Sequence, residues 1–255
     1  MSNEKTVTSG IIAEELHKLG LRAGSRVMVH SSLSSFGHVE GGADAVIDGL
    51  LSAVGPTGTV LVPTLTATAQ HSSQNPPVFD VANTPCWTGR IPETFRARPN
   101  AVRSLHPTHS VAAIGADADE LTREHTYSVS PCDDLSPYGK LAEDEHGYVL
   151  LLGVGHKSNT TFHHIEELAG AEYHMQRDFA KATILTGGES IRRNYMLHQW
   201  GTPRQFEIME PVFIERGIQR SAQVGNARVS LVQSRGMVQV TLRALRANPR
   251  VLCKN

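Results

Sequence analysis

Short apolar segments alternate with amphipathic segments along the chain, and this alternation constrains the fold more than any other feature. Buried strands are predicted at 26–30, 58–63 and 148–154, and amphipathic helices at 9–20 and 43–55. Strands that are apolar throughout are typical of a sheet that helices cover on both faces. The sequence therefore predicts an α/β fold with a mainly parallel sheet.

The same pattern continues to the end of the chain, interrupted by one long polar segment. Residues 66–90 show no clear period, and a loop of that length is usually functional or mobile. Since no internal repeat or linker is visible, we expect a single domain over residues 1–255. The other predicted elements are helices near 91–98, 117–124, 136–147, 207–216 and 236–247 and one beginning near 161, with strands near 109–115, 181–186 and 226–232.

Charge and cysteine content exclude several classes of protein. A formal net charge of -1 and a pI near 6.9 create no global field that would attract nucleic acid or an anionic membrane. Cys86, Cys132 and Cys253 are widely spaced without CxxC, which argues against a disulfide framework or zinc site and for a reducing compartment. The N-terminal segment lacks the apolar core of a signal peptide, and no apolar run approaches the ~20 residues that span a bilayer. We expect a cytoplasmic protein.

The first candidate motif is "RVMVHSSLSSFG", in which His30, Ser31 and Ser32 follow an apolar strand. Ligands of parallel α/β sheets bind outside the carboxyl ends of the strands. Backbone amides and small hydroxyls there can bind phosphate or a pantetheine amide. The alternative is an ordinary strand-to-helix loop, since the segment is neither a Walker loop nor a dinucleotide fingerprint.

The second motif, "RSLHPTHS", brings an arginine, two histidines and several hydroxyls together before a strand. Arg103 could hold an anionic group while Ser104 and Ser110 orient a substrate. A metal site would pair His106 with His109, but an HxxH spacing with proline inside does not suit two ligands on one helix face. We therefore predict no metal. The alternative is that buried histidines brace a loop.

The third motif is "HKSNTTFHHIEEL", which places His163 and His164 at the start of a predicted helix. Asn159 and the two threonines that follow it resemble an N-cap run. The positive end of the helix dipole favours a neutral imidazole, which can act as a general base. Neighbouring helical residues lie about 100° apart, so one histidine faces a cleft and the other faces away. The motif alone leaves open which one does so.

Five segments together resemble the aminoglycoside 3-N-acetyltransferase family in order and spacing. They are "VHSSLSSFG", "GTVLVPT", "RIPETFRARPNAVRSLHPTHSVAAIG", "SPYGKLAE" and "LLLGVGHKSNTTFHHIEE", and the resemblance covers residues 10–170, continuing more weakly through 212–240. It implies acetyl transfer from acetyl-CoA to an amine of an aminoglycoside antibiotic, through a ternary complex and without metal. It also implies a family-specific α/β/α sandwich that is distinct from the GNAT acetyltransferases, in a monomer or homodimer.

The resemblance also implies roles for individual residues. It assigns the general base to His163. A base is needed because an ammonium cannot attack a thioester, and general base catalysis contributes ~10²–10⁴-fold to the rate. The chemistry, rather than the resemblance, makes Thr160 or the backbone amides around Asn159 candidate donors to the tetrahedral oxyanion. The resemblance places Ser31, Ser32, Arg103 and Ser104 on the CoA side, and we predict that His30, Leu33 and Ser110 lie there with them.

Two departures from the family pattern leave the acceptor open. In "NYMLHQWGTPRQFEIMEP" the usual acidic position falls at His198, so the His–Glu pairing is expected to be lost. The alternatives are that Glu207 or Glu210 replaces the carboxylate, that His198 relays the proton, or that the alignment is shifted by a few residues. The loop 64–77 holds no acidic residue, although sites for polycations are lined with carboxylates. The predicted acceptor-binding carboxylates are Asp80, Asp133, Glu167 and Glu210. A non-antibiotic amine, a binding relative without turnover and a metal-dependent hydrolase remain as alternatives.

Overall fold

A computed structural model of the protein describes residues 6–254, so the extreme N-terminus, including part of the segment without signal-peptide character, lies outside the described residues. Within that range a seven-stranded mixed sheet lies between two layers of helices, and a second sheet has three strands. The strands are β1 (Arg26–Ser31), β2 (Thr59–Pro63), β3 (Val78–Asp80), β4 (Val102–Arg103), β5 (Val111–Gly115), β6 (Gly147–Leu152), β7 (Ala180–Thr186), β8 (Glu189–Tyr195), β9 (Gln219–Val224) and β10 (Ala227–Gln233). The helices are α1 (Ser9–Leu19), α2 (Gly42–Val54), α3 (Arg90–Arg96), α4 (Ala118–Thr122), α5 (Pro137–Glu143), α6 (Thr161–Leu168), α7 (Glu210–Glu215) and α8 (Ser234–Ala247).

Parallel pairing occupies the centre of the large sheet. Its strand order is β4-β5-β2-β1-β6-β10-β9, in which β1 pairs parallel with β2 and with β6. The flanking strands pair antiparallel. The α/β class is thus confirmed, and the buried strands predicted at 26–30, 58–63 and 148–154 correspond to the three central strands β1, β2 and β6.

Side chains of β6 alternate between the two helical layers. Leu150 and Leu152 pack into the core beneath α1, α2 and α3, whereas Val149 and Leu151 pack with α5, α6, α7 and α8. Burying each such side chain fully stabilises the fold by roughly 1.5–3 kcal/mol. The central strands are therefore fixed in register by apolar contacts on both faces.

The second sheet and the edge of the large one contain strands that the sequence pattern does not predict. β8 is largely exposed and polar, and it forms by antiparallel pairing with β7 across a turn in which Gly187 and Gly188 both have positive φ. β3 arises inside the long polar segment by parallel pairing with β7. β9 is likewise held by pairing with β10. Tertiary pairing, rather than local periodicity, determines these strands.

The carboxyl ends of β1, β2 and β6 meet at one edge of the sheet. β6 is followed by Gly153 at φ +66°, where an added Cβ would lie 2.4 Å from the Cβ of Ser35. Ser35 Oγ instead donates to the carbonyl of Gly153 at 2.8 Å. This close approach joins the segment after β1 to the segment that leads into α6. Among the described residues, none of the helices is long and apolar enough to cross a membrane.

Candidate active site

A cavity of about 480 Å³, called here the first cavity, opens outside the carboxyl ends of the parallel strands. Nε2 of His30 and Oγ of Ser31 are buried there without a hydrogen-bond partner among the described residues, so both are available to a ligand. Burial, followed by the His156 and His163 imidazoles, lowers the pKa of His30 to about 3. The cavity is lined by Val29, His30, Ser31, Pro63, Leu65, Trp87, Thr88, Pro92, Lys157, Ser158, Asn159, Thr160 and His163.

A second cavity of about 270 Å³ shares Leu65, Trp87, Lys157 and His163 with the first. His163 therefore faces both cavities. The remaining lining of the second cavity is contributed by Ala67, His109, His174, His198, Gln199, Trp200, Gly201, Thr202, Arg204 and Phe206.

The two adjacent histidines have different environments. His163 keeps 27% of its side chain exposed, whereas His164 is 1% exposed and donates from Nδ1 to the carbonyl of Cys132 at 2.7 Å. α6 begins at Thr161, close to the predicted start, and Asn159 Oδ1 accepts from its backbone N–H at 3.1 Å. The geometry thus distinguishes the two residues that the motif alone did not.

Glu166 holds His163 in position from one turn further along α6. Nδ1 of His163 lies 2.8 Å from Oε2 of Glu166, and Nε of Arg204 donates to the other carboxylate oxygen at 2.8 Å. Glu166 is fully buried, which by itself raises its pKa, but the hydrogen bond from His163 and the charges of His163, His174 and Arg204 lower that pKa to about 2. An ionised carboxylate only accepts, so Nδ1 of His163 carries a proton, and in the neutral imidazole this leaves the lone pair on Nε2.

The expected loss of the His–Glu pairing is therefore wrong, because Glu166 supplies the carboxylate. His198 bonds to a different carboxylate, with Nε2 lying 2.7 Å from Oε1 of Glu167. Burial, then the neighbouring imidazoles of His174, His109, His163 and His106, holds the pKa of His198 well below its usual value. Glu207 and Glu210 do not pair with His163. Glu207 accepts from the backbone N–H of Lys157, and Glu210 accepts from Gln219 and Arg228.

Glu167 is buried between Ser130, Cys132 and His198. It accepts from the Ser130 hydroxyl and, at 3.0 Å, from the backbone N–H of Cys132. Burial, which outweighs these hydrogen bonds, raises the pKa of Glu167 to about 8. Since His198 separates this carboxyl group from the second cavity, the structure places Glu167 behind the cavity lining.

Three residues predicted on the CoA side lie away from both cavity linings. The Arg103 guanidinium donates to the main-chain carbonyls of Thr64, Val81 and Thr84. Ser110 also donates to the Thr64 carbonyl at 2.8 Å, and Ser104 pairs with Nδ1 of His125 at 2.8 Å. These polar atoms brace the chain beside β2, and Arg103 also lines a further cavity of about 630 Å³. The CoA-side role of the three residues stays a prediction.

Ser32 and Leu33 are likewise absent from the linings, although they directly follow the two residues that are present. Ser32 Oγ pairs with Ser34 Oγ at 3.2 Å, and Leu33 packs against the core. The 3-10 helix Leu33–Phe36 turns the chain away from the cavity at this point. Thr160, by contrast, lines the first cavity as predicted for an oxyanion donor.

The predicted acceptor carboxylates do not assemble. Asp80 accepts from the backbone of Ala82 and Asn83 in its own turn. Asp133 accepts from the Ser128 hydroxyl and nearby backbone, and Glu210 pairs as described above. The described residues that line the second cavity include Lys157 and Arg204 but neither aspartate nor glutamate.

Several site residues were missed by the sequence analysis. The contact of Glu166 with His163 was predictable, because a residue three positions after His163 lies on the same helix face. His174, Trp87 and Arg204 reach the site from segments with no motif of their own, and Trp87 is fixed by donation from Nε1 to the carbonyl of Ala67 at 2.9 Å.

The site is thus an imidazole that a buried carboxylate orients between two cavities. Comparison with known proteins identifies the family. The sequence model described as "Aminoglycoside 3-N-acetyltransferase" matches residues 28–246, and the chain belongs to this family of transferases.

Relatives and solved structures agree along nearly the whole chain. An aminoglycoside N(3)-acetyltransferase IV of Salmonella sp is 33% identical over 237 residues, covering 92% of this chain and 86% of that relative. A mutant of aminoglycoside acetyltransferase AAC(3)-IVa in complex with gentamicin superposes with a TM-score of 0.84 at 29% identity, covering 99% of this chain and 93% of that one. The binary complex of AAC-IIIb with CoASH gives a TM-score of 0.80 at 27% identity, covering 95% and 97%.

Proposed function

We propose that this protein transfers an acetyl group from acetyl-CoA to an amine, with His163 as general base and both substrates bound together. The observation that carries the proposal is the position of His163, which faces both cavities while Glu166 holds its Nδ1. The CoASH complex of one structural neighbour and the gentamicin complex of another support two substrate sites of this kind.

The first cavity receives the thioester end of acetyl-CoA in this proposal. His30 Nε2 and Ser31 Oγ are positioned for the amides of the pantetheine arm, because both are buried and lack a partner among the described residues. Thr160, in the same lining, and the backbone around Asn159 are donors for the thioester oxygen as it becomes an oxyanion.

His163 Nε2 takes a proton from the acceptor amine as its nitrogen attacks the thioester carbon. The new C–N bond forms, the C–S bond of the tetrahedral intermediate breaks, and the imidazolium returns the proton to the departing thiolate. Glu166 stabilises the imidazolium because its carboxylate lies 2.8 Å from Nδ1. The products are the N-acetylated acceptor and CoA thiol.

The proposed acceptor is the 3-amino group of the 2-deoxystreptamine ring of an aminoglycoside, and the proposed consequence is antibiotic resistance. The names of the relatives carry this choice. A second candidate, an amine that is not a polycation, is favoured by one observation. The second cavity places Lys157 and Arg204 beside two tryptophans, without a carboxylate among its described lining residues. Charge-assisted hydrogen bonds to several ammonium groups are therefore not provided there.

Thiol release from acetyl-CoA tests the function and separates the two acceptors. The wild-type protein would be assayed with gentamicin-like and apramycin-like aminoglycosides and with aromatic monoamines, some carrying a carboxylate. Rapid release with the aminoglycosides supports the first acceptor class. Release only with the monoamines keeps acetyl transfer and replaces the acceptor. Saturable binding of acetyl-CoA without thiol release in the presence of any of these acceptors would contradict the proposed activity.

A further inference from the structure

Three histidines converge in the second cavity from separate parts of the chain. His163, His174 and His198 each offer one ring nitrogen, and these atoms lie within 4.8 Å of one another. The ring centroids of His174 and His198 are 4.1 Å apart, and those of His163 and His174 are 5.1 Å apart. The prediction of no metal considers only His106 with His109, because no sequence spacing indicates that His163, His174 and His198 lie together.

A buried carboxyl group holds one ring nitrogen of His163 and one of His198. Nδ1 of His163 lies 2.8 Å from Oε2 of Glu166, whereas Nδ1 of His174, 3.1 Å from the same oxygen, accepts from Nη2 of Arg204 at 3.2 Å. Nε2 of His198 lies 2.7 Å from Oε1 of Glu167. Histidines that ligate metals almost always hold their non-ligating nitrogen on a carboxylate or carbonyl in this way, which fixes the ring and increases its basicity.

Nε2 of His174 provides an independent sign of an absent ligand. The side chain is 1% exposed, and this atom has no hydrogen-bond partner among the described residues. A buried donor or acceptor without a partner is unfavourable, and a ligand in the cavity would relieve it. Because Nη2 of Arg204 donates to Nδ1, the proton of the neutral ring lies on Nε2, and an ion that binds Nε2 moves this proton to Nδ1, 3.1 Å from Oε2 of Glu166.

The donor set suits a borderline-soft divalent ion such as Zn²⁺. Three neutral imidazoles and one open position match the sites in which this ion keeps an exchangeable ligand. Zn–N bonds of about 2.0–2.1 Å place tetrahedral nitrogens about 3.4 Å apart. The rings must therefore approach one another by about 1 Å on binding, and the second cavity leaves the fourth position open.

We propose that His163, His174 and His198 bind one divalent transition-metal ion of the Zn²⁺ class, and that the bound ion blocks acetyl transfer by occupying Nε2 of His163. The binding itself goes beyond the proposed function, whereas the inhibition rests on it. The ion competes with the acceptor amine for the second cavity and leaves acetyl-CoA binding in the first cavity intact.

A second cluster, His109, Cys132 and His198, is the competing set of ligands. Burial, followed by the charges of Glu167, Asp133 and Glu166, raises the pKa of the Cys132 thiol well above its usual value. That opposes formation of the thiolate which metals bind. The ring centroid of His109 lies 4.4 Å from that of His198 but 6.5 Å from that of His163, so His109 does not complete a set with His163. The variant Cys132→Ser separates the two sets.

Isothermal titration of the chelator-treated protein with ZnCl₂ tests the site without any acceptor. We expect one ion per chain in the wild type, binding at least tenfold weaker in His174→Ala and His198→Ala, and unchanged binding in Cys132→Ser. His146→Ala is the matched control, because His146 is exposed and belongs to neither cavity lining and neither ligand cluster. Co²⁺ should show the visible bands of a four-coordinate nitrogen site without the intense near-ultraviolet band of a thiolate.

The proposal is overturned if the wild type binds no stoichiometric ion, if His174→Ala binds as tightly as His146→Ala, or if Cys132→Ser loses the ion. Should the histidine variants not fold, the Co²⁺ spectrum of the wild type decides, since a thiolate band would contradict the three-histidine set. Because calorimetry needs no turnover, loss of the proposed acetyl transfer would not be mistaken for loss of the metal site. With an active acceptor, Zn²⁺ should raise the KM of the acceptor and not that of acetyl-CoA.

Discussion

Replacing Glu166 by glutamine removes one charge without changing the shape of the side chain. The carboxylate accepts from Nδ1 of His163 at 2.8 Å and from Nε of Arg204 at 2.8 Å. Nδ1 of His174 lies 3.1 Å from the oxygen that His163 contacts, and it accepts from Nη2 of Arg204 at 3.2 Å. A glutamine amide offers one accepting oxygen and one donating NH₂ group. The variant must therefore turn its NH₂ either toward the histidines or toward the arginine.

Both orientations impair the site, by different amounts. With NH₂ toward His163, Nδ1 must accept, the proton moves to Nε2, and the base is lost, so kcat falls by ~10²–10⁴-fold. With NH₂ toward Arg204, the base survives, but two donors face each other in a buried position, which destabilises the fold by roughly 1–3 kcal/mol. We expect the first orientation, because the NH₂ group then faces a neutral imidazole instead of the permanently charged guanidinium of Arg204.

The assay for Glu166→Gln combines thiol release with ¹⁵N NMR of labelled histidine. We expect the lowered kcat, a KM for acetyl-CoA within about threefold of the wild type, and a shift of the His163 proton from Nδ1 to Nε2. Glu210→Gln is the matched control, since its carboxylate pairs with Gln219 and Arg228 outside both cavities. A Glu166→Gln enzyme with kcat within tenfold of the wild type and an unchanged tautomer would refute the reasoning.

Three further predictions concern residues outside the two cavities. Arg103→Met should destabilise the fold by roughly 1.5–3 kcal/mol, which is the contribution of one hydrogen bond to a charged group, and should leave the KM for acetyl-CoA unchanged. A raised KM with an unchanged urea midpoint would instead support a role for Arg103 in binding CoA. Burial lowers the pKa of His125 to about 4, so its neutral folded form contributes stability that is complete above pH 6.5 and is lost as the pH falls toward 4. The stability of the wild type relative to His125→Gln should therefore fall by roughly 1–2 kcal/mol between pH 7 and pH 5 in urea unfolding, and a constant difference would argue against a neutral buried ring. Gly153→Ala should lower stability by about 1–3 kcal/mol, because a left-handed φ is combined with a Cβ 2.4 Å from Ser35, and an unchanged thermal midpoint would count against that contact.

The central strands were predictable because their apolar composition indicates a buried environment. β1, β2 and β6 each contain three or more consecutive apolar residues that are buried, and a sheet covered on both faces buries such runs. β8 and β9 carry no comparable signal, since most of their side chains are exposed and their hydrogen-bond partners lie on neighbouring strands. Single-domain organisation remains a prediction.

The site was predictable where chemistry and sequence spacing coincide, and not elsewhere. His163 and Glu166 are one helical turn apart, so their contact follows from the helix itself. Arg103 lies among hydroxyls in the sequence, but the direction of its guanidinium depends on carbonyls of residues 64, 81 and 84. His174 and Trp87 enter the site only through the folding of distant segments, which no local motif encodes.

The central claim, that His163 is the base, is tested most directly by single-turnover acetyl transfer in His163→Gln. The wild type, His163→Gln and the surface control His146→Gln would be mixed with saturating acetyl-CoA and the best acceptor from the panel, and thiol release followed from pH 6 to 9. We predict a rate about 10²–10⁴-fold lower in His163→Gln, with acetyl-CoA affinity preserved and His146→Gln equal to the wild type. A His163→Gln rate within tenfold of the wild type across that pH range would contradict the account.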